Sequence, residues 1–364
     1  MHRRLDWRAV SWQALTLVAA GLAAWWVLDT LFANLAARGI SSGFGFLSDT
    51  AGFGISMSLI PYSETSSFGR AFLVGLLNTL LVSGIGILFA TLIGFAVGAA
   101  RLSRNYLAAR LAAAYVETLR NVPLLLQIFF WYFAVLAALP RPRGSLAFGD
   151  ILFLNNRGLY LPAPEANGPY FLLAGAVLAI AAVFLWRRGA GVATLVLSVC
   201  AIVPLALISW EIPALRGFNF QGGMVLIPEL LALAIALSTY TAAFIAEIVR
   251  AGIQSVPAGQ VEAGKAIGLS DRDVMWRVVM PQAMRLIVPP LTNQYLNLAK
   301  NSSLAAAIAY PDLVSVFAGT ALNITGQAVE VITLTMLVYL AISLAIAGMM
   351  AIRNRMILAE DGSL

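Results

Sequence analysis

The chain has 364 residues, of which 60% are apolar and only 11% are charged, whereas soluble domains carry about 25% charged residues. This composition excludes an ordinary water-soluble domain as the main body of the protein. One cysteine, Cys200, excludes a disulfide framework, and one histidine, His2, excludes a catalytic triad or a histidine metal site, so neither catalytic residues nor metal ligands are predicted. The net charge of +6 comes from pairs of basic residues beside apolar runs rather than from a stripe, so nucleic-acid binding is not expected.

The apolar residues form runs of the length that crosses a membrane, which takes about 20 residues for about 30 Å of hydrocarbon. The predicted spans, in chain order, are 12–32, 72–99, 112–139, 170–186, 190–210, 226–249, 286–302 and 331–352. The first run follows Arg3, Arg4 and Arg8 as in a signal peptide, but it exceeds the roughly 7–15 apolar residues of such a peptide. The predicted fold is therefore all-α, a polytopic transmembrane helix bundle of about eight spans.

The distribution of basic residues predicts the orientation of this bundle. If the N-terminus is cytoplasmic, 15 of the 23 Lys and Arg residues fall in cytoplasmic segments and 6 in external ones. The external six are Arg38, Arg70, Arg141, Arg143, Arg157 and Arg216. Loops rich in Lys and Arg stay in the cytoplasm. We therefore expect both termini to be cytoplasmic in a multi-pass protein of a bacterial inner membrane.

Four parts of the chain are predicted. Residues 1–71 hold the first span and an external loop, and 72–139 form the first part of the core. Residues 140–225 are an insertion. Its Pro- and Gly-rich external segment is expected to be an ordered-to-irregular loop rather than a domain, and it precedes a peripheral helix hairpin facing lipid. Residues 226–364 form the second part of the core and contain a cytoplasmic loop at 250–285.

This cytoplasmic loop has the signals of two short helices joined by a bend. Ser255 can cap a first helix with Pro257 in its first turn. Gly268 is expected to end that helix in the left-handed conformation, after which Ser270 can cap a second helix that ends at Pro281. The amphipathic surface that results fits either a protein partner or the lipid headgroups.

The same loop resembles a known sequence motif. The runs EAGKAIGLS from Glu262 and MPQA from Met280 resemble the EAA loop of ATP-binding-cassette importer permeases, although Gly264 and Met280 replace the usual alanine and the usual leucine or isoleucine. Four further stretches resemble the polar-amino-acid branch of that family: 78–80 (NTL), 117–130 (ETLRNVPLLLQIFF), 247–260 (EIVRAGIQSVPAGQ) and 300–304 (KNSSL). The first span and the long insertion resemble the general L-amino-acid type, which is one half of a heterodimer.

The resemblance implies a function in transport. The chain would be the permease subunit that moves polar or general L-amino acids from periplasm to cytoplasm by alternating access. Its partners would be a dimer of cytoplasmic ATPases, a second permease subunit and a periplasmic amino-acid-binding protein. The residues expected to contact the ATPase or shape the contact are Glu262, Ala263, Gly264, Gly268, Leu269 and Pro281. The sequence has no G-x-x-x-x-G-K-[ST] stretch, so ATP and Mg²⁺ are expected on the ATPase and no cofactor on this chain.

Polar residues inside the predicted spans are the candidates for the substrate pathway. They are Asn78, Thr79, Gln127, Asn293, Gln294, Asn297 and Lys300. Such residues either line a path or form hydrogen bonds between helices, and both interpretations are open. The Lys300 ammonium could meet a substrate α-carboxylate or extend to the external interface.

Two pairs of opposite charges are predicted to be structural. Glu117 and Arg120, like Glu247 and Arg250, stand three residues apart near the cytoplasmic face, a spacing at which side chains on a helix meet.

An alternative function is that of an ion-coupled secondary transporter or channel with no ATPase. A proton-coupled carrier usually has an acidic residue in the middle of a span, whereas these carboxylates lie near helix ends, which favours the permease.

Overall fold

The computed structural model describes residues 7–37, 43–165 and 208–359, with a few short pieces between 177 and 201. The predicted spans 170–186 and 190–210 lie outside the described residues apart from these pieces. The α-helices are α1 (Trp7–Ala37), α2 (Phe68–Arg101), α3 (Tyr106–Asn121), α4 (Leu124–Phe129), α5 (Pro228–Gln254), α6 (Ala258–Ala266), α7 (Asp271–Asp273), α8 (Met280–Asn301), α9 (Leu322–Thr325) and α10 (Ala328–Ala359). The π-helical segments are Phe130–Leu136, Val274–Val279 and Val314–Ala321, and the 3₁₀ turns are Gly45–Ser48, Pro142–Gly144 and Ser302–Ile308.

Helices α2 and α5 form the most extensive helix pair of the bundle, and glycines bring their backbones together. A Cβ atom at Gly94 would lie 2.5 Å from Cγ2 of Ile245, and one at Gly98 would lie 2.8 Å from Cβ of Val249. Both distances are shorter than atoms tolerate. The G-x-x-x-G spacing of α2 therefore permits a close contact that a larger residue would prevent.

Helix α8 packs on this pair through further glycines. A Cβ atom at Gly252 of α5 would lie 2.4 Å from Cγ1 of Ile287, and one at Gly86 of α2 would lie 3.0 Å from Cδ2 of Leu298. Ile287 and Leu298 are fully buried. Helices α2, α5 and α8 consequently form one tightly packed unit.

The predicted spans are only partly confirmed. Helices α2 and α5 and the stretch 328–357 are long and apolar enough to cross a membrane. The predicted span 112–139 is wrong as one helix, since α3 meets the next helix at an angle of 106°. Pro123 explains the bend, because it lacks a backbone N–H and keeps Val122 out of the helical conformation. Counting this bent pair, the described residues contain up to four candidate spans.

The predicted span 12–32 falls within α1, and 286–302 overlaps α8 as far as Asn301, but neither helix is among the candidate spans of the described residues. All described side chains of α1 are exposed, so this helix lies at the periphery of the described part of the bundle. Between α8 and α10 the sequence predicted no element, whereas the structure has a compact helical segment over residues 302–325.

Residues 146–164 and 210–226 form β-structure, where the sequence predicted an ordered-to-irregular loop and no strand. The strands are β1 (Leu146–Phe148), β2 (Leu152–Asn155), β3 (Gly158–Leu161), β4 (Ala163–Pro164), β5 (Trp210–Glu211), β6 (Ala214–Arg216), β7 (Asn219–Gln221) and β8 (Met224–Leu226). An antiparallel sheet has the order β1-β2-β3-β8, with Leu154 opposite Leu159 and Tyr160 opposite Val225. The chain is therefore mostly helical rather than all-α.

The sheet lies at one end of the bundle. Strand β8 ends two residues before α5 begins, and α5 then runs for 27 residues, or about 40 Å at 1.5 Å per residue. The loop at 250–285 follows the far end of the same helix. The sheet and this loop are therefore at opposite ends of α5.

A valine substitution at Gly94 tests the packing of α2 on α5. Gly94→Val should lower the thermal unfolding midpoint of the purified protein in detergent, because overpacking costs about 1–3 kcal/mol. Gly84→Val is the matched control, since Gly84 lies on the same helix and a Cβ atom there meets nothing within 4 Å. Equal midpoints for the two variants would contradict the role of the glycine contact.

Candidate functional site

The loop between α5 and α8 begins differently from the prediction. Ser255 was expected to cap the first helix, but its backbone is still helical and it ends α5. Its hydroxyl donates a hydrogen bond to the carbonyl of Gly252 at 2.7 Å. Pro257 instead precedes α6 directly in an extended conformation. The Ser255 side chain is therefore used by the preceding turn, which explains the error.

The bend after α6 confirms the left-handed conformation predicted for Gly268. Its φ is +87°, in the left-handed region. The Gly268 N–H donates to the carbonyl of Lys265 at 2.9 Å, and the Leu269 N–H donates to that of Gly264 at 3.1 Å, as in a Schellman motif. An added Cβ atom would meet nothing within 4 Å. The requirement for glycine is therefore one of backbone conformation and not of space.

The second helix begins as predicted. The Ser270 hydroxyl accepts a hydrogen bond from the Asp273 N–H at 3.1 Å and donates one to the Asp273 carboxylate at 2.6 Å. Across the bend, Nζ of Lys265 lies 2.8 Å from Oδ1 of Asp271. Hydrogen bonding from this ammonium group lowers the pKa of the Asp271 carboxyl group. Since both side chains are largely exposed, this ion pair adds little stability.

The predicted end of this helix at Pro281 is wrong. The π-helical segment Val274–Val279 continues directly into α8, so Pro281 lies in the first turn after it. The second short helix consequently continues into α8 with no break.

The two short helices contact each other through Gly264, which is buried. A Cβ atom there would lie 3.2 Å from Cγ2 of Val274 and 3.6 Å from Cγ2 of Val278. On the outer side, Glu262 and Ala263 are exposed, and Ile267 is 78% exposed. The exposed surface of α6 and the bend thus carries an acidic, a small apolar and a large apolar side chain.

A cluster of charges fixes the base of the loop. Glu247 forms salt bridges with Arg250, as predicted, and also with Arg101, the last residue of α2. Arg101 was not predicted as a partner because it is distant in sequence. Its position in the last turn of a span was the available signal. The cluster joins the ends of α2 and α5 at the point where α5 enters the loop.

The second predicted ion pair is not formed. In the described residues Glu117 and Arg120 make no salt bridge with each other. The Arg120 guanidinium lies instead over the Phe244 ring of α5, 5.0 Å from its centroid. A cation above an aromatic face is attracted by the ring, and this contact between helices replaces the predicted one within α3.

Asn78 and Thr79, two of the predicted pathway residues, bond to the backbone of neighbouring segments. Both are fully buried. The Asn78 amide donates to the carbonyls of Met57 and Pro311, each at 2.9 Å. Thr79 accepts a hydrogen bond from the Leu313 N–H at 2.9 Å. These bonds hold the segment after α8 against α2.

Gln127 has a similar structural role at the bend after α3. Its buried amide group donates to the carbonyls of Leu119 and Val122, each at 2.9 Å. These carbonyls lose helical partners where Pro123 interrupts the helix. Gln127 therefore stabilises the bend, and the predicted polar layer shared with α8 is not supported by this contact.

The polar residues of α8 have a different environment. Asn293, Asn297 and Lys300 are exposed, and Gln294 is partly buried. Spacings of four and three residues place the exposed three on one face of the helix. Lys300 also borders a cavity of about 490 Å³ lined by Ser303, Val314, Thr335, Met336, Tyr339, Leu340 and Ser343. This face remains the candidate for contact with a substrate.

A buried carboxylate was missed by the sequence analysis. Asp312 is fully buried, and it accepts hydrogen bonds from the Ser315 N–H at 2.8 Å and the Tyr339 hydroxyl at 3.4 Å. Its place after Pro311 and before an apolar helical run is a helix-start signal that could have identified it. Asp312 positions the segment between α8 and α10.

Similarity to known proteins agrees with this geometry. Residues 86–357 match the family described as binding-protein-dependent transport system inner membrane component. A putative amino-acid ABC transporter permease protein of Escherichia coli is 52% identical, over 96% of this chain and 94% of its own. A general L-amino acid transport system permease protein of Rhizobium johnstonii is 47% identical, over 93% and 89%. A solved structure, an amino acid ABC transporter with histidines, has a similar fold with a TM-score of 0.50 and 20% identity, over 79% of this chain and 94% of that chain.

An alanine substitution at Gln127 tests its structural role. Gln127→Ala should lower the thermal unfolding midpoint in detergent, because two carbonyl groups lose their donor at a cost of about 1–3 kcal/mol. Asn297→Ala serves as the control, since Asn297 is exposed and its removal should leave the midpoint unchanged. If Gln127→Ala melts like the wild-type protein, Gln127 does not stabilise the bend.

Proposed function

The chain belongs to the family of binding-protein-dependent transport system inner membrane components, and we propose that it is the permease subunit of an ATP-driven importer of polar or general L-amino acids. It is a membrane component of a transporter and not an enzyme. The substrate would pass from periplasm to cytoplasm by alternating access.

The observation that carries this proposal is the geometry of the loop between α5 and α8. Helix α6 would be the coupling helix, seated in a groove of a cytoplasmic ATPase, with Glu262 and Ala263 at the contact. Gly264 allows α6 to pack on Val274, and Gly268 sets the bend. The remaining two coupling residues, Leu269 and Pro281, would keep the second helix aligned with α8.

The partners follow from the same function. A pair of ATPases would bind ATP and Mg²⁺, because the sequence of this chain has no G-x-x-x-x-G-K-[ST] phosphate-binding loop. A second permease chain, different in sequence, would complete a heterodimer, and a periplasmic amino-acid-binding protein would deliver the substrate. The family description, which specifies dependence on a binding protein, supports the last of these.

The exposed face of α8 is the proposed substrate contact. Asn293 and Asn297 offer hydrogen-bond donors and acceptors, and Lys300 offers a positive charge beside a cavity. An α-amino acid carries a carboxylate and an ammonium group, so this set fits its polar end. The side chain of the substrate would face the apolar part of the cavity.

We also propose the orientation and division expected from the sequence. The protein would be a multi-pass protein of the bacterial inner membrane with about eight spans, cytoplasmic termini and the parts 1–71, 72–139, 140–225 and 226–364. The excess of basic residues on one side supports this orientation. The loop at 250–285 would then face the cytoplasm, and the sheet would face the periplasm.

The coupling role predicts that transport fails when the loop is altered. Gly268→Val forces a β-branched residue into the left-handed region, at a cost of about 1–2 kcal/mol, and Glu262→Lys reverses the exposed charge. Both should reduce ATP-driven amino-acid uptake into liposomes that hold the complex, while assembly of the two permease chains persists. Uptake is measured with and without internal ATP.

Gly259→Val is the matched control, because Gly259 lies on the same helix and an added Cβ atom meets nothing within 4 Å. It should retain most of the uptake. Uptake that proceeds equally without ATP would refute the importer and favour an ion-coupled transporter. Full ATP coupling in Gly268→Val and Glu262→Lys would show that α6 is an ordinary surface helix.

The orientation can be checked by labelling cysteines in intact cells. In a Cys200→Ala background, Arg157→Cys should react with an impermeant maleimide added outside, and Asp271→Cys should react only after the membrane is opened. Arg157 lies on the sheet and Asp271 in the loop, at opposite ends of α5. Labelling of Asp271→Cys in sealed cells would reverse the proposed orientation.

A further inference from the structure

Three arginines surround a small cavity in the sheet region, and none of them has a part in the transport site described above. Arg141, Arg143 and Arg157 are exposed and border a cavity of about 350 Å³. The other lining residues are Pro142, Asn156 and Phe218. Three turns meet here: the 3₁₀ turn at 142–144, the turn between β2 and β3, and the turn between β6 and β7.

A buried asparagine holds two of these turns together. The Asn155 amide donates to the Ser145 hydroxyl at 3.0 Å, and the Asn155 carbonyl oxygen of the side chain accepts from the Arg157 N–H at 2.8 Å. Ser145 in turn donates to the carbonyl of Pro142 at 2.6 Å. Asn155 is fully buried. The backbone that carries the arginines is therefore preorganised.

The third turn fixes the orientation of one guanidinium group. The Arg143 guanidinium lies over the Phe218 ring, 4.3 Å from its centroid. Phe218 is 73% exposed. An exposed aromatic ring stacked with arginine is a combination that is enriched at protein interfaces and at their energetic centres.

The positive charge of the cluster is not neutralised within the chain as described. Arg141, Arg143 and Arg157 form no salt bridge with any described carboxylate. The residues from 166 to 207, whose sequence adjoins the sheet, contain no Asp or Glu. Three positive charges around one cavity repel each other and attract an anionic partner.

We propose that this arginine cluster receives an acidic surface of the periplasmic binding protein, an inference that rests on the proposed function. The cluster lies on the sheet, at the opposite end of α5 from the coupling loop, where that protein would arrive. Pro142 and Phe218 are the apolar lining residues, so the cavity offers little surface to lipid acyl chains. An acidic protein and an anionic lipid both complement the charge, so it is the small apolar lining that favours the protein.

The cluster would act mainly on the rate and register of docking. Arginines at the edge of an interface steer a partner of opposite charge and increase the association rate, an effect that salt screens. The binding protein would be oriented over the permease before its substrate is released.

Charge reversal tests this proposal in the complete complex of both permease chains and the ATPases, held in lipid nanodiscs. Binding of the cognate binding protein is measured at several salt concentrations. Arg141→Glu, Arg143→Glu and Arg157→Glu should each raise Kd about tenfold and reduce its dependence on salt. Arg143→Lys keeps the charge and should retain most of the affinity. Arg216→Glu is the matched control, because Arg216 lies on the adjacent hairpin but does not line the cavity.

The outcomes separate the proposal from the function on which it rests. At saturating binding protein, the three variants should recover wild-type stimulation of ATP hydrolysis, since coupling is intact. Wild-type docking by all three variants, or an equal loss in Arg216→Glu, would overturn the proposal. A dependence of wild-type docking on anionic lipid would also overturn it. In that case the wild-type complex would lose docking in nanodiscs of phosphatidylcholine alone and regain it when phosphatidylglycerol is added, because the cavity would then bind lipid. Uptake without ATP by the wild-type complex would instead refute the importer.

Discussion

The close contact of α2 with α5 is the constraint on which the rest of the structure depends. In lipid, helices gain little from the hydrophobic effect when they associate, so contact between backbones must supply the stability. Gly94 and Gly98 provide that contact against Ile245 and Val249. The pair then forms the surface on which α8 packs. Buried hydrogen bonds, such as those of Asn78 and Gln127, add to these backbone contacts.

The same contacts connect the loop to the proposed substrate face of α8. Glu247 ties Arg101 of α2 to the last turns of α5, and Gly252 brings α5 against Ile287 of α8. Beyond the loop, the helix runs without a break into α8, which carries Asn297 on its exposed face. A displacement of α6 would therefore move the whole unit, as in a rigid-body transition, rather than bend one helix.

Features that depend on a few neighbouring residues were predictable from the sequence. The left-handed Gly268 and the Ser270 cap follow from local backbone rules, and the long helices follow from apolar length. Features that depend on distant partners were not. Gln127 bonds to a carbonyl group that the bend leaves without a helical partner, and Asn78 bonds to a segment more than 200 residues away. Arg120 lies over an aromatic ring on another helix. The sheet was hidden because its strands are short and the pairing of β3 with β8 spans the insertion.

In the proposed permease, α2, α5, α8 and the loop at 250–285 move as one body when the partner ATPases bind ATP. Spin labels placed at two exposed positions, Gln260 on α6 and Leu73 near the start of α2, would report this by pulsed electron paramagnetic resonance in a Cys200→Ala background. The distance within the chain should be the same without nucleotide and with ATP trapped, while the distance between Gln260 and a label on the second permease chain changes. A change in the distance within the chain, with none between chains, would contradict this movement as one body.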